Sequence, residues 1–333
     1  MRSRLTLGLL GGLFVLLITD LFGVGNLQRL IETVLPPPSG RKPNLLVGTN
    51  PWPGYAPFYL ARRLGLYQGK GVDFVEYPST SMTLKALRNG AIQAAALTLD
   101  ETLQLYELGT QFKVVLVLDY SAGADAILAR PPLASLADLK NKKIAFENST
   151  LGGYFLTRTL ERSRMHPDDF ELVPLEVDEH LQAYLQEKVD GVVTMEPYKT
   201  ALERAGAKKI FSSKDLPQEI IDVLVVREDW LAGDVRALKF LAEGWFEALR
   251  QLQEAPEQMA PLLGEQLNLN PKEALEAVAG VQLLDQKANL ALFVGSPSPF
   301  DQSARVTNDF LLSHQLLSRK VSLEGLADPI LLR

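Results

Sequence analysis

Between Leu45 and Arg227 the chain alternates two hydrophobic rhythms. Short apolar runs of strand length occur at Leu45–Gly48, Val72–Tyr77, Ala94–Leu97, Val114–Tyr120, Lys143–Phe146, Glu171–Pro174, Gly191–Met195 and Val223–Arg227. Between them lie stretches whose apolar residues recur at helical spacing: Pro57–Leu64, Ser81–Asn89, Glu101–Leu108, Tyr154–Arg164, His180–Glu187 and Pro197–Ala205. Unbroken apolar strands alternating with helices predict parallel sheets covered on both faces. Helix signals agree with the periods. Ser81 is a candidate N-cap, Asp100 and Glu101 suit the positive end of a helix dipole, and Gly90, Gly109 and Gly206 fall just past helix ends. After Val226 the rhythm becomes helical throughout, at Val235–Gln253, Pro256–Leu267, Pro271–Val278, Asp285–Phe293 and Pro299–Leu317, with proline near several starts.

The N-terminal segment has a different pattern. Arg2 and Arg4 precede the apolar run Leu5–Thr19, Asp20 interrupts it, and Leu21–Gly25 follows. A basic region before a short apolar core reads as a secretory signal over 1–25, with Gly23 and Gly25 as a small-x-small cleavage site. Left uncleaved, Leu5–Val24 approaches the roughly 20 apolar residues that span a bilayer and becomes a signal anchor. Residues 26–43, ending in PPPSGRKP, read as a proline-rich linker, so the folded part is expected to begin at Asn44.

A chain of 333 residues is long enough for two cores. The net charge of −6 argues against a nucleic-acid partner. With no cysteine, disulfides, thiolate metal sites and a cysteine nucleophile are excluded. The three histidines, His166, His180 and His314, have no partner at metal-ligand spacing and read as solvated or capping residues. No GxSxG, Walker or GxGxxG pattern occurs. No catalytic residues, metal or cofactor are assigned.

Trp52–Leu66, WPGYAPFYLARRLGL, places a Pro-Gly turn, two aromatics and an amphipathic helix between two strands, as in a βαβ unit whose first loop holds a ligand. Together with SAGAD at Ser121–Asp125, SLADLKNKKIAFENSTLGGYFL, KVDGVVTMEPY and DVLVVREDWL, it resembles the substrate-binding proteins of ABC importers. The similar branch takes nitrate, sulfonates, taurine or thiamine-pyrimidine precursors, and the resemblance covers about Asn44 to Leu231. It implies an α/β, type II periplasmic-binding-protein fold: two doubly wound lobes joined by a two-strand hinge, with a helical C-terminal tail. Lobe one would take 44–123 plus 224–333 and lobe two 124–223, with crossings near Tyr120–Asp125 and Asp222–Val226. The implied protein is a periplasmic, monomeric solute-binding protein that delivers a small nitrogen-containing or organosulfur molecule to an inner-membrane ABC permease. The alternatives are a membrane-tethered sensing module of the same fold, or an enzyme acting on a small heterocycle. Enzymes of this fold use cysteine- and histidine-bearing motifs that this chain lacks.

In such a fold the ligand loops lie at strand carboxyl ends beside helix N-termini. Trp52 and Tyr55 are candidates for stacking. Thr80, Ser81, Ser121 and Thr150 are candidate hydrogen-bonding groups, and Asp100, Asp125, Glu196 and Tyr198 complete the set. Each has a structural alternative: Trp52 as a cap on the core edge, Ser81 and Asp100 as N-caps, Asp125 in a hinge salt bridge. Asp100, Glu101, Asp119, Asp125 and Glu196 lie on cleft-side segments that lack Arg and Lys. That balance opposes an anion and favours an amine-bearing or cationic ligand.

Overall fold

The computed structural model describes residues 44–233 and 235–332. The signal and linker assigned to 1–43 lie outside the described residues. The chain opens with β1 (Leu45–Thr49), turns through Pro53–Tyr55 into α1 (Ala56–Arg63), and continues as β2 (Val72–Glu76), α2 (Thr80–Arg88), β3 (Ala94–Thr98), α3 (Leu99–Glu107) and β4 (Phe112–Ser121). There follow β5 (Asp125–Ala129), β6 (Lys143–Phe146), α4 (Thr150–Ser163), β7 (Glu171–Pro174), α5 (His180–Leu185), β8 (Gly191–Met195), α6 (Tyr198–Arg204) and β9 (Lys208–Ser212). The last part comprises β10 (Ile221–Arg227), α7 (Glu228–Leu231), α8 (Arg236–Glu254), α9 (Pro256–Leu267), α10 (Pro271–Val278), β11 (Val281–Leu283), α11 (Gln286–Phe293) and α12 (Pro299–Ser313).

These strands form two sheets, one of six strands in the order β11-β4-β10-β3-β1-β2 and one of five in the order β7-β6-β8-β5-β9. Each is the centre of one lobe. The expected parallel pairing holds where βαβ units run on, between β1 and its neighbours β2 and β3, and between β6 and its neighbours β7 and β8. Elsewhere the sheets are mixed, which corrects the all-parallel expectation. β10 runs antiparallel between β3 and β4, and β5 runs antiparallel between β8 and β9. These strands follow the two passages between sheets, so they enter from the opposite end. The first passage is only Ala122–Ala124 long, and there Gly123 adopts φ +121, a conformation L side chains rarely take.

Most sequence boundaries agree with the structure to within a few residues, with instructive exceptions. Asp125–Ala129 is a strand, although Asp125 was expected in a hinge loop, because its backbone pairs with Gly191–Met195 on one side and Lys208–Ser212 on the other. Ser79, extended at φ −140 and ψ 160, is the N-cap of α2, which places Ser81 inside the first turn and corrects its assignment as the cap.

The helical C-terminal third covers the first sheet. α8 buries Leu238, Leu241, Trp245, Ala248 and Leu252 at three- and four-residue spacing. Trp245 packs against Phe58 of α1, with ring centroids 4.5 Å apart. That contact fixes the helix whose N-terminal turn carries Trp52 and Tyr55. The tail also reaches the second lobe. Phe310 of α12 lies edge-on to Tyr154 of α4 at 4.9 Å, and His314 stacks on Phe310 while pairing with Glu161 at 2.9 Å.

Candidate functional site

One chamber lies between the lobes, and a second adjoins it within the second lobe. The first, inner one is lined from the elements of the six-stranded sheet by Asn50, Trp52, Tyr55, Thr80, Thr98, Glu101 and Asp222, from those of the five-stranded sheet by Asp125, Leu151 and Met195, and by Ile220 at the second passage. The other shares Asp125, Leu151 and Met195 and is completed within the second lobe by Glu147, Gly152, Phe155, Val177, His180, Val193 and Thr194. Each lining loop sits where a strand ends and a helix begins. Asn50 follows β1, Thr98 closes β3, Glu147 follows β6, and Leu151 is in the first turn of α4.

The inner wall is held by hydrogen bonds between side chains far apart in sequence. Trp52 Nε1 donates to Asp119 Oδ1 and Oδ2 at 3.2 and 3.3 Å, and the Tyr55 hydroxyl donates to Asp222 Oδ1 at 2.6 Å. Asn50 donates to Thr80 Oγ1 at 2.8 Å and accepts from the Trp52 backbone N–H at 3.0 Å. The two aromatics are therefore buried in the core while lining this chamber. Gly54 makes this possible: a Cβ there would lie 2.1 Å from Asp119 Oδ2 and 2.3 Å from Trp52 Nε1.

The electrostatics of the site are dominated by buried carboxyl groups: Asp100, Glu101, Asp119, Asp125, Glu147 and Asp222. Burial, the largest cause for each, disfavours the ionised form. It pushes Asp100, Asp125 and Glu147 up to about 7. Glu101, Asp119 and Asp222 are raised well above the ordinary carboxylate range, again first by burial. Neighbouring acids add to this, Asp100 and Glu147 on Glu101, Asp222 on Asp119, and Asp125 and Asp100 on Asp222. His180, buried against Thr194 at 3.2 Å, is pushed the other way, to about 4, and is a neutral imidazole. It is neither solvated nor a cap, as its sequence position had suggested; the neutral ring fills space behind the second chamber. His166 is exposed beside Asp168.

The sequence-predicted residues separate into three groups. Trp52, Tyr55, Thr80 and Asp125 line the inner chamber. Asp100 and Thr150 are buried close by, and Asp100 Oδ2 and Thr150 Oγ1 have no hydrogen-bond partner. The others are engaged elsewhere. Ser121 Oγ bonds Ser213 Oγ at 2.7 Å at the passage between sheets. Ser81 Oγ donates to Glu147 Oε1 at 3.3 Å, and the Tyr198 hydroxyl donates to the Pro78 carbonyl at 3.3 Å, both across the lobes. Glu196 is paired with Lys199 at 2.8 Å and accepts from the Thr200 N–H at 3.1 Å. Lys199 lies one residue past the segments read as free of cations, so Glu196 does not add to the uncompensated charge.

Asn50, Glu147 and Asp222 were not singled out. The rule that ligand loops follow strand ends identifies Asn50 and Glu147 once it is applied to β1 and β6. Asp222 had no such signal: it lies inside β10 and reaches the chamber only because β10 is inserted between β3 and β4.

Two α/β sheets joined by short passages, with a chamber between them and a helical tail, define a protein of the type II periplasmic-binding-protein fold. The alkanesulfonate-binding protein SsuA from Xanthomonas axonopodis pv. citri, bound to MOPS, superposes with a TM-score of 0.75 at 18% identity, covering 87% of this chain and 99% of that one. The desulfurization enzyme DSZB has the same fold, with a TM-score of 0.65 at 16% identity over 87% of this chain and 98% of that one. In sequence, the chain is 24% identical to the taurine-binding periplasmic protein of Escherichia coli (strain K12) over 183 residues, which is 54% of this chain and 57% of that protein. The chain thus matches little more than half the length of that relative. The profile of the NMT1-like family matches residues 39–262, and the chain belongs to that family.

Proposed function

We propose that the protein is a periplasmic solute-binding protein that captures a small molecule between its lobes and presents the closed form to an ABC permease. The observation that carries this is the inner chamber, lined from both sheets, since a ligand touching both lobes favours their closed arrangement. Family membership and the periplasmic taurine-binding relative support the same reading. The two lobes are taken as 44–123 plus 224–333 and 124–223. Trp52, Tyr55, Thr80 and Asp125 are the site residues the chamber favours, with Glu101 and Asp222 added.

A thermal-shift panel of amines, pyrimidines, taurine, alkanesulfonates and nitrate tests the proposal. A ligand at 100 times its dissociation constant adds about 2.7 kcal/mol of stability, which a melting curve resolves. A hit should also shorten the inter-lobe distance read by fluorescence transfer between labels on the two lobes. Silence across the panel, or a hit with no change in that distance, defeats the reading. Since the fold also carries the desulfurization enzyme, the same mixtures are followed by mass spectrometry. Product formation there would move the function to catalysis.

A further inference from the structure

Resting on the solute-binding reading, we infer that the captured molecule is an organic cation with an apolar body. Its ammonium or amidinium group is held by Glu101, Asp125 and Asp222, and its hydrocarbon part enters the second lobe.

Glu101, Asp125 and Asp222 each expose a buried carboxyl oxygen that has no hydrogen-bond partner: Glu101 Oε1, Asp125 Oδ2 and Asp222 Oδ2. The second oxygens of Glu101 and Asp222 are satisfied within the protein, Glu101 Oε2 by the Thr98 N–H at 3.1 Å and Asp222 Oδ1 by the Tyr55 hydroxyl at 2.6 Å. All three side chains line the inner chamber. Buried polar atoms are normally paired, so orphaned acceptors gathered on one void mark the place of a missing donor. An ammonium offers three N–H donors and no acceptor, which suits these three carboxyl oxygens together with the unpartnered Thr98 Oγ1 on the same wall. Among the described residues, no Lys, Arg or His forms an ion pair with any of the three. Lys199, the cation that Asp125 senses, is held by Glu196.

The second chamber sets the other half of the ligand. Beyond Asp125 its wall is made largely by Leu151, Phe155, Val177, Val193 and Met195, a surface suited to hydrocarbon. A small inorganic cation would leave it unfilled. An anion would meet the carboxyl array directly.

Proton release follows from the same geometry. Asp125 is faced by Asp222 of β10, Asp119 of β4, Asp100 of α3, and Glu196 and Lys199 before and within α6, and it shares its two chambers with Glu101, Glu147 and the neutral His180. A bound cation favours the ionised carboxylates, so binding displaces protons and tightens as pH rises from about 6 to about 8.

Isothermal titration of the intact protein with benzylamine, methylamine, benzyl alcohol, taurine and propanesulfonate tests the inference, at both ends of that pH range and in Glu101→Gln and Leu151→Asn variants. Benzylamine is expected to bind at least tenfold tighter than methylamine or benzyl alcohol and to tighten with pH. Each variant, checked by its melting curve to be folded, is expected to lose at least tenfold. Equal binding of benzylamine and benzyl alcohol, or benzylamine affinity unchanged in folded Glu101→Gln, overturns the inference. Taurine or propanesulfonate binding without benzylamine overturns it while leaving the solute-binding reading intact. Silence with all five probes overturns both.

Discussion

At the residue scale, the cleft is a set of acids held where water does not reach them. A carboxyl whose folded pKa is above its unfolded value binds its proton more tightly when folded. Its stabilising contribution is complete below the unfolded value, 3.8 for Asp and 4.5 for Glu, and is lost as pH rises through about 7 for Asp100, Asp125 and Glu147. His180 works in the opposite direction between about 4 and 6.5, but it is one group against several carboxyls. The melting temperature of the ligand-free protein is therefore expected to fall between about pH 5 and pH 8. A steady rise over that range would mean that the acids are already ionised in the fold. Asp119→Asn removes one of them nearly isosterically. It should stabilise by on the order of 1–3 kcal/mol near pH 8 and by little near pH 4, measured by urea unfolding at each pH. Gly54→Ala acts through space alone, since its Cβ would sit 2.1 Å from Asp119 Oδ2. A cost of about 1–3 kcal/mol is expected, with a tryptophan emission change as the Trp52–Asp119 bond is forced apart. Unchanged emission and stability would show that the turn relaxes freely.

At the scale of elements, the site depends on helices that never touch it. α1 carries the Trp52–Tyr55 turn at its N-terminus, and α8 holds α1 by burying Trp245 against Phe58. Trp245→Ala should cost about 3–5 kcal/mol. Trp245→Phe should cost only about 1 kcal/mol, because the buried Trp245 Nε1 has no hydrogen-bond partner to lose. Urea unfolding separates the two, and equal costs would mean that the indole nitrogen is bonded after all. Strand periodicity located these elements well: Lys143–Phe146, Glu171–Pro174 and Gly191–Met195 match the structure at both ends. It failed at Asp125–Ala129 and Lys208–Ser212. The first begins with a charged residue beside a Gly-containing turn. The second holds two lysines that face outward from an edge strand, as edges often require.

At the scale of the whole molecule, the lobes meet through polar contacts at the cleft rim: Ser81 to Glu147, Tyr198 to Pro78, and Arg204 of α6 to Glu273 of α10 at 2.6 Å. The exposed Arg204–Glu273 pair contributes at most about 1 kcal/mol, so it biases closure without enforcing it. Arg204→Glu places like charges against each other. It should lengthen the inter-lobe distance in the ligand-free protein, read by fluorescence transfer, while lowering stability by no more than about 1 kcal/mol. An unchanged distance would show that the rim does not govern opening. On the other side, α12 packs on α4 through Phe310 and Tyr154, so opening is resisted more strongly there.

The sequence alone determined the class of fold, the order of most of its elements and the acidic character of the cleft, because each depends on local period, short-range turn chemistry or residue type. Trp52, Tyr55, Thr80 and Asp125 were legible as residues that line the inner chamber, since each lies where a strand meets a turn or helix. Only the tertiary structure decided which carboxyls remain without a partner. Lys199 reaches back to Glu196 within one turn of chain, whereas Asp222 reaches the chamber across 167 residues from Tyr55. Pairings at that separation are set by the insertion of β10 between β3 and β4, and no pattern within a single segment encodes it.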